Sequence, residues 1–244
     1  MMKTPHFLFV VASFWLAFPA WAGTIDPSQE QYLENKRYAQ CAKPPEQKVN
    51  QDPEPELQEG FVPLFDNDGI EGWVARGGEC TFEMENGELV GTCVPGSEST
   101  YFSSPREDYA DFVLTFEFKW DVLGNTGVQF RSMVNDKGSV AGYQCEIDPS
   151  ERGWTGGIYN QSLDGWKYPL WLSEHNPVRE NLKIDDWNRI TIRAKGNLIQ
   201  TWVNGQAASH LVDDDRSQGL FAFQIHKGKE GTVRWRNVRV KELD

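Results

Sequence analysis

The segment GYQCEID, residues 142–148, decides the fold class because its apolar and polar residues alternate strictly. A period of two is typical of a β-strand with one buried face and one open face. We expect the apolar set to point into a core: Tyr143, Cys145 and Ile147. The open face then carries a polar stripe formed by Gln144, Glu146 and Asp148. Three polar groups in a row on one face indicate a functional surface.

Two further segments repeat this arrangement. In residues 127–131, Gln129 and Arg131 alternate with apolar neighbours, and in residues 221–226 the same is true of Gln224 and His226. If the three strands share one sheet, carboxylates, a guanidinium and an imidazole lie on a common surface. This surface is the predicted functional site.

The chain from residue 61 onward consists of short segments with strand character, separated by turns such as Asn86-Gly87 and Asn204-Gly205. Frequent turns between many strands favour an all-β antiparallel sandwich or jelly roll in one domain, residues 60–244. The predicted strands are Thr81–Glu85, Glu88–Thr92, Phe112–Trp120, Gly127–Arg131, Tyr143–Asp148, Arg189–Ala194, Leu198–Val203, Leu220–His226 and Thr232–Lys241.

The first 22 residues have the layout of a secretory signal peptide. A lysine at position 3 precedes an apolar run over residues 7–18, and Ala20 and Ala22 offer small residues to a signal peptidase. The run is too short to cross a bilayer, although a membrane anchor is the alternative interpretation. We expect an exported protein, periplasmic or secreted, with no membrane span in the mature chain that begins near Gly23.

Residues 23–59 differ in composition from the segment that follows. They contain five prolines and many Gln and Glu residues, with little apolar periodicity. This composition predicts a proline-rich linker or an N-terminal arm, within which Asp26 to Ala42 has the character of a short helix.

The net charge of −12 disfavours nucleic acid and anionic membranes as partners, since both attract clustered Lys and Arg. The chain has ten tryptophans, most of which are expected in the core, although exposed aromatic rings would suit a carbohydrate partner because they stack on sugar rings. Residues 153–180 form a predicted long loop rich in aromatic residues, including Trp154, Tyr159 and Trp166. Either these rings form a rim over the polar face, or the loop packs them against one another.

The four cysteines belong to a chain expected to enter an oxidising compartment. A two-residue turn at Asn86-Gly87 places Cys80 opposite Cys93 at a non-hydrogen-bonded position, within reach of a disulfide. The sequence therefore predicts a Cys80–Cys93 bond. Cys145 is expected to be a buried free thiol, with a bridge to Cys41 as the alternative.

Motifs for a phosphate loop, a serine nucleophile elbow or a zinc helix are absent from the sequence. The acidic run of residues 213–215 has the oxygen ligands that Ca²⁺ prefers, but a solvated loop is the favoured interpretation. Glu146 and Asp148 are close enough along one strand to share a metal, to divide acid and base roles, or to form a structural ion pair with Arg131.

Ten short motifs in a fixed order carry a resemblance to a known family. They include Leu64-Phe65-Asp66, Glu85-Asn86-Gly87-Glu88-Leu89-Val90, Asn125-Thr126-Gly127-Val128-Gln129-Phe130-Arg131, residues 142–148, Thr155-Gly156-Gly157-Ile158-Tyr159, Trp202-Val203-Asn204-Gly205 and Gln224-Ile225-His226. From Phe61 to Leu243 the chain resembles the 3-keto-disaccharide hydrolase domain family. The resemblance implies a concanavalin-A-like jelly roll with a concave sheet. The family often has Asn-Ser-Gly-Ile where this chain has residues 125–128, which is a conservative departure.

The resemblance also implies a reaction. A ketone at C3 of a glucoside acidifies the proton at C2, so that a base can remove it, the C1 substituent is eliminated, and water then adds. We expect His226 or Glu146 to be the base, Arg131 to stabilise the enolate, and Asp148 to act as a supporting acid or ligand. A divalent metal on Glu146, Asp148 or His226 is an alternative electrophile. The expected substrate-binding residues are Gln129, Gln144, Gln224, Trp154, Tyr159 and Trp166.

Two other functions fit the same pattern. A lectin-like module would bind glycans on this face without chemistry, and a conventional glycosidase would use two carboxylates. The mixture of guanidinium, carboxylates and imidazole favours an enzyme. Two carboxylates on one strand disfavour the conventional glycosidase, which needs one on each side of the scissile bond.

Overall fold

The structure is a computed structural model that describes residues 23–38, 41, 46–65 and 69–244. The predicted signal peptide lies outside the described residues. None of the helices within these ranges has the length and apolar character that crossing a membrane requires.

Fifteen strands and a few short helices make up the described chain. The strands are β1 Val62–Pro63, β2 Val74–Arg76, β3 Thr81–Glu85, β4 Glu88–Thr92, β5 Thr100–Ser103, β6 Phe112–Val122, β7 Thr126–Val134, β8 Val140–Ile147, β9 Ile158–Gln161, β10 Gly165–Tyr168, β11 Asn188–Lys195, β12 Leu198–Val203, β13 Gln206–Val212, β14 Leu220–Ile225 and β15 Thr232–Glu242. The helices are the 3₁₀ turns Pro27–Tyr32, Lys36–Tyr38 and Ser173–His175, followed by α1, Asn176–Asn181.

The strands form two antiparallel sheets packed face to face. The front sheet has the order β10-β9-β8-β7-β14-β5-β2, and the back sheet has the order β13-β12-β11-β6-β15-β4-β3 with β1 paired to β15. The predicted all-β sandwich of the jelly-roll type is therefore confirmed. All nine predicted strands are present, with ends that differ by a few residues.

The core lies between the two sheets and is rich in aromatic residues. On β6, alternate residues from Phe112 to Phe118 are almost completely buried. Phe223 of the front sheet meets Phe116 and Trp235 of the back sheet at ring-centroid distances of 6.2 and 5.3 Å. Burial of such a ring contributes about 1.5–3 kcal/mol, so that these contacts bind the sheets together.

The prediction of one long loop over residues 153–180 is wrong in part. It contains the β9–β10 hairpin, which extends the front sheet at one edge, and then the 3₁₀ turn and α1. Strands of four residues among glycines give too short a periodic signal to be recognised in the sequence. The hairpin carries Tyr159 and Trp166 onto the polar face.

The register of the β3–β4 hairpin is the predicted one, but the predicted disulfide is not formed. Asn86 and Gly87 have φ of 52° and 80°, and the ladder runs from Glu85–Glu88 to Thr81–Thr92. Beyond that pair, the backbone N–H of Cys80 donates to Thr100 Oγ1 and that of Cys93 to Gly231 O. The backbone N–H groups of Cys80 and Cys93 thus bond to other segments and not to each other. Both cysteines are buried free thiols. Burial, together with the neighbouring Cys80, raises the pKa of Cys93.

No disulfide joins Cys41 to Cys145, so the alternative bridge is not formed. Cys145 is completely buried in the core of the sandwich, as the alternation in residues 142–148 predicts. The Cys41 thiol instead donates to Trp166 O at 2.9 Å.

The arm of residues 23–59 lies against the sandwich. Two 3₁₀ turns stand where the sequence suggested one helix. Asp26 forms an ion pair with Arg179 at 2.9 Å, and the Asp52 carbonyl accepts from Trp202 Nε1 at 2.9 Å. Glu54 pairs with Arg189 at 2.5 Å. These contacts hold the described parts of the arm against the sandwich at both of its ends.

Candidate functional site

Three neighbouring strands of the front sheet supply the floor of the site. Gln224 on β14 is opposite Gly127 on β7, which is opposite Glu146 on β8. Tyr101 on β5 extends this row beyond Gln224. Since adjacent strands are about 4.8 Å apart, the row brings distant parts of the sequence onto one surface.

The glycine in the centre of this row is needed for the packing of its neighbour. A Cβ atom on Gly127 would meet the side chain of Gln144 at 2.6 Å. Without that atom, Gln144 lies over the floor and its Nε2 donates to Glu146 Oε2 at 2.7 Å.

A cleft with a volume of about 1440 Å³ opens above this floor. Its walls come from the loops that follow β4, β7, β8, β9 and β14, and from the arm. The inner surface of the cleft is formed by Tyr38, Tyr101, Asn125, Gln144, Glu146, Arg152, Tyr159, Trp166, Gln224 and His226. The cleft therefore combines carboxylate, guanidinium, imidazole, amide and aromatic groups.

Glu146 is the buried carboxylate of the cleft. Its side chain accepts hydrogen bonds from Asn125 Nδ2 at 2.8 Å and from Arg152 Nη2 at 2.8 Å, in addition to the one from Gln144. Desolvation by burial raises its pKa above the usual range, while Arg152 acts in the opposite direction. Three donors thus hold the carboxylate in place, although burial removes it from water.

Arg152 is the half-buried guanidinium of the cleft, and it was not among the predicted site residues. Besides the bond to Glu146, its Nε donates to Asp148 Oδ2 at 2.7 Å. Its Cζ lies 4.8 Å from the ring centroids of both Trp154 and Trp166, which is cation–π geometry. Burial lowers the pKa of Arg152, but the Glu146 and Asp148 carboxylates outweigh burial and raise it.

The only sequence signal for Arg152 is its spacing of four residues from Asp148. Arg152 lies in the turn after β8 rather than on a strand, so the alternation of a strand does not predict where its side chain points.

Arg131 is not in the cleft, which corrects the predicted role of this residue. A bulge between Phe130 and Met133 interrupts the alternation of β7, and Arg131 has a φ of 44°. Its buried guanidinium donates to Ala110 O at 2.8 Å, to Gly196 O at 2.7 Å and to Asp111 Oδ1 at 2.8 Å. Arg131 therefore links the two sheets, and the expected Arg131–Glu146 ion pair is absent.

Asp148 does not line the cleft either. Its Oδ1 accepts from the Ser150 backbone N–H at 3.0 Å, and its Oδ2 is occupied by Arg152. β8 ends at Ile147, so Asp148 begins the following turn. It acts on the cleft by holding Arg152, and its charge also raises the pKa of Glu146.

His226 lies in the cleft and is exposed, immediately after the end of β14. Its Nδ1 is 2.7 Å from Lys227 O. Because a carbonyl oxygen can only accept, this contact requires the proton on Nδ1 and leaves a lone pair on Nε2. The backbone N–H of His226 donates to Asn125 O at 3.3 Å, and Asn125 in turn contacts Glu146.

Gln224 provides an acceptor in the cleft without a partner. It is 1% exposed, and its Nε2 donates to the Tyr101 hydroxyl at 3.3 Å. Its Oε1 has no hydrogen-bond partner among the described residues. Burial raises the pKa of Tyr101 to about 12, so the phenol stays protonated.

The remaining predicted binding residues divide between the cleft and the interior. Tyr159 and Trp166 line the cleft and meet edge to face at 5.4 Å. Trp154 is completely buried beneath them, where its Nε1 donates to Gln29 Oε1 at 2.6 Å. Gln129 is also completely buried and donates to Gln144. The aromatic segment thus fits both interpretations, since some of its rings form a wall and others pack inside.

Within the described ranges, no group of three or more His, Cys, Asp or Glu side chains is placed to hold a metal ion. The Glu146 and Asp148 oxygens are both engaged by Arg152. In the acidic run, Asp213 and Asp215 pair with Lys167 at 3.1 and 2.6 Å. A lysine thus occupies the position that a cation would take.

An antiparallel sandwich with a polar, aromatic-walled cleft on one sheet defines the class of this protein. The profile of the 3-keto-alpha-glucoside-1,2-lyase-like domain family matches residues 60–241, and the chain belongs to this family. No curated protein matches the chain in sequence.

Several solved structures share the fold. One, described as a "putative glycosyl hydrolase" from Parabacteroides distasonis, is 17% identical and has a TM-score of 0.54, with 79% of this chain and all of that chain covered. A second protein of the same description and organism is 18% identical, with a TM-score of 0.51 and coverages of 75% and 99%. A carbohydrate-binding module from Bacillus subtilis is 13% identical, with a TM-score of 0.51 and coverages of 70% and 96%. At these identities the likeness shows the fold alone.

Proposed function

We propose that this protein cleaves 3-keto-glucosides by elimination followed by hydration, a net hydrolysis. The observation that carries the proposal is the placement of His226 in the cleft beside the Asn125–Glu146–Arg152 group. The family to which the chain belongs supports the substrate class. The cleft volume is sufficient for a sugar of two or more units, given that ligand pockets are typically about 300–1,000 Å³.

The first step is removal of the proton at C2, and we assign it to His226. Its Nε2 lone pair faces no partner among the described residues, and Lys227 O fixes the ring in the tautomer that a base needs. Glu146 is the second candidate for the base. Burial raises the pKa of its carboxyl and so favours uptake of a proton, whereas its three donors act in the opposite direction and occupy its oxygens.

The electrons of the C2–H bond then form a C1=C2 double bond, and the C1–O bond breaks. In the enolate-like transition state, negative charge develops on the C3 oxygen. Arg152 takes the role that the sequence analysis gave to Arg131, and the neutral Tyr101 hydroxyl is a second donor. The leaving oxygen takes a proton from solvent, and His226 returns the proton of C2 to solvent. Addition of water, with H to C2 and OH to C1, then completes the hydrolysis.

The test compares His226→Ala and Glu146→Gln, with His210→Ala on β13 as the matched control outside the cleft. On a 4-nitrophenyl 3-keto-α-glucoside, His226→Ala is expected to lose about 10²–10⁴-fold in kcat. His210→Ala is expected to retain wild-type kcat. If only Glu146→Gln loses kcat, the base is Glu146. If both cleft variants keep wild-type turnover, the assignment of this site is wrong.

The second candidate function is a lectin-like module. The unpaired Gln224 Oε1 and the Tyr159–Trp166 wall favour it, because both suit sugar binding without chemistry. Binding of plain and 3-keto glucosides with no cleavage of either would support this function over the first. A conventional glycosidase needs a carboxylate on each side of the scissile bond, and of the predicted pair Glu146 and Asp148 only Glu146 lines the cleft.

We also propose that the protein acts outside the cytoplasm, in the periplasm or as a secreted protein. The support is the layout of the first 22 residues, with an apolar run followed by Ala20 and Ala22. Intact-mass measurement of the exported protein is expected to give a chain that begins near Gly23. A cytoplasmic, uncleaved chain would contradict the proposal.

A further inference from the structure

The arm contributes to the cleft although it lies outside the residues that match the family. That match begins at residue 60, whereas Arg37 and Tyr38 line the cleft. The arm also contacts the turn after β8, because Gln29 Nε2 donates to Arg152 O at 3.1 Å. The family domain by itself therefore does not contain the complete wall.

Tyr38 is the arm residue that is most closely integrated into this wall. It is 6% exposed, and its ring meets those of Trp154, Trp171 and Trp166 edge to face at centroid distances of 4.9, 5.9 and 6.4 Å. Trp154 and Trp166 are the two rings on which the Arg152 guanidinium rests.

Tyr38 therefore acts on Arg152 through these two rings. The carboxylates of Glu146 and Asp148 hold two nitrogen atoms of the guanidinium, and the indole rings support its face. Because the Tyr38 ring packs against both indoles, it holds them in the positions on which the guanidinium rests.

We propose that Tyr38 is a positioning residue that holds the Arg152 guanidinium against Glu146, so that the arm completes the active cleft. The expected effect of Tyr38 on turnover rests on the proposed function, whereas the restraint of Arg152 by Tyr38 does not. The experiment therefore has one arm that needs no substrate and one that does.

The first arm measures hydrogen exchange of the Arg152 Nε–H by NMR, with the signal assigned by loss in Arg152→Lys. In the full chain, Tyr38→Leu removes the ring and keeps an apolar side chain, and it is expected to exchange about threefold to tenfold faster, the effect of losing an aromatic contact. The matched control is Tyr32→Leu, which removes a ring of the same arm that meets Trp154 at 5.4 Å but does not line the cleft. It is expected to leave the rate unchanged. Equal rates in the wild type and Tyr38→Leu overturn the proposal, as does equal acceleration by both variants.

The second arm measures kcat and KM on the 4-nitrophenyl 3-keto-α-glucoside. A positioning role predicts that Tyr38→Leu lowers kcat severalfold with a smaller change in KM, and that Tyr32→Leu changes neither. Faster exchange with unchanged kcat and KM would overturn the part of the proposal that concerns the active cleft. If the wild type does not cleave the substrate but Tyr38→Leu alone exchanges faster, the proposed function fails and the restraint on Arg152 stands.

Discussion

Replacement of Arg152 by alanine tests the central ion pair of the cleft. The substitution removes charge-assisted bonds of 2.8 Å to Glu146 and 2.7 Å to Asp148, which are 5% and 3% exposed. Because it leaves two buried carboxylates without their cation, we expect Arg152→Ala to lower the free energy of unfolding at pH 7 by about 3–5 kcal/mol.

The loss is expected to depend on pH in a defined direction. The pKa of Glu146 lies above its ordinary value of 4.5 in the folded protein, and removal of Arg152 raises it further. The folded carboxyl then holds more protons than the unfolded one, so stability falls as the pH rises from 4.5 through the folded pKa. Between pH 7 and pH 5 the variant is expected to regain stability, by at most about 1.4 kcal/mol per pH unit.

Urea unfolding at pH 5 and pH 7 measures this effect, with the double variant Arg152→Ala/Glu146→Gln as the control. The amide needs no cation, so the double variant is expected to recover the part of the loss that belongs to Glu146. The part that belongs to Asp148 remains. An equal loss of unfolding free energy at both pH values, with no recovery in the double variant, would contradict the stabilising role of the Arg152–Glu146 ion pair.

Three other substitutions or treatments test the surroundings of the cleft. Gly127→Ala places a Cβ atom 2.6 Å from the Gln144 side chain and displaces this side chain from Glu146. Loss of the Gln144–Glu146 hydrogen bond is expected to weaken sugar binding about tenfold to a hundredfold, as measured by calorimetric titration. Arg131→Met removes three buried hydrogen bonds, so we expect a loss of about 3–5 kcal/mol in urea unfolding with KM unchanged. Oxidation is expected to join Cys80 and Cys93, with a mass loss of about 2 Da, and to stabilise the chain by about 3 kcal/mol because the closed loop has about 15 residues.

Each of these has an outcome that would contradict it. Wild-type affinity in Gly127→Ala would mean that Gln144 does not contribute to binding. A higher KM in Arg131→Met would place that guanidinium in the site after all, and failure of oxidation to change the mass would mean that the thiols cannot approach each other. Glu83→Gln removes the charge of an exposed glutamate on β3 and serves as a control for charge removal. It is expected to change neither stability nor KM.

The cleft was partly predictable because alternation determines which side chains share a face. Gln144, Glu146 and Gln224 lie on the floor as their segments predict, and His226 extends the same face beyond its strand. The same rule failed for Arg131, since one bulge in β7 changes the direction of every side chain that follows it. A bulge has no reliable sequence signal when the residue at positive φ is not a glycine.

Local sequence patterns were sufficient to predict the two-sheet class, the hairpin register at Asn86-Gly87 and the polar face of β8. These features depend on short-range periodicity and turn chemistry, which neighbouring residues encode. The position of Arg152, rather than Arg131, against Glu146 follows only from the tertiary packing, as does the contact of Tyr38 of the arm with the rings that support Arg152. Loops and arms carry no periodic pattern, so the direction of their side chains is set by the packing of residues that are distant in the chain.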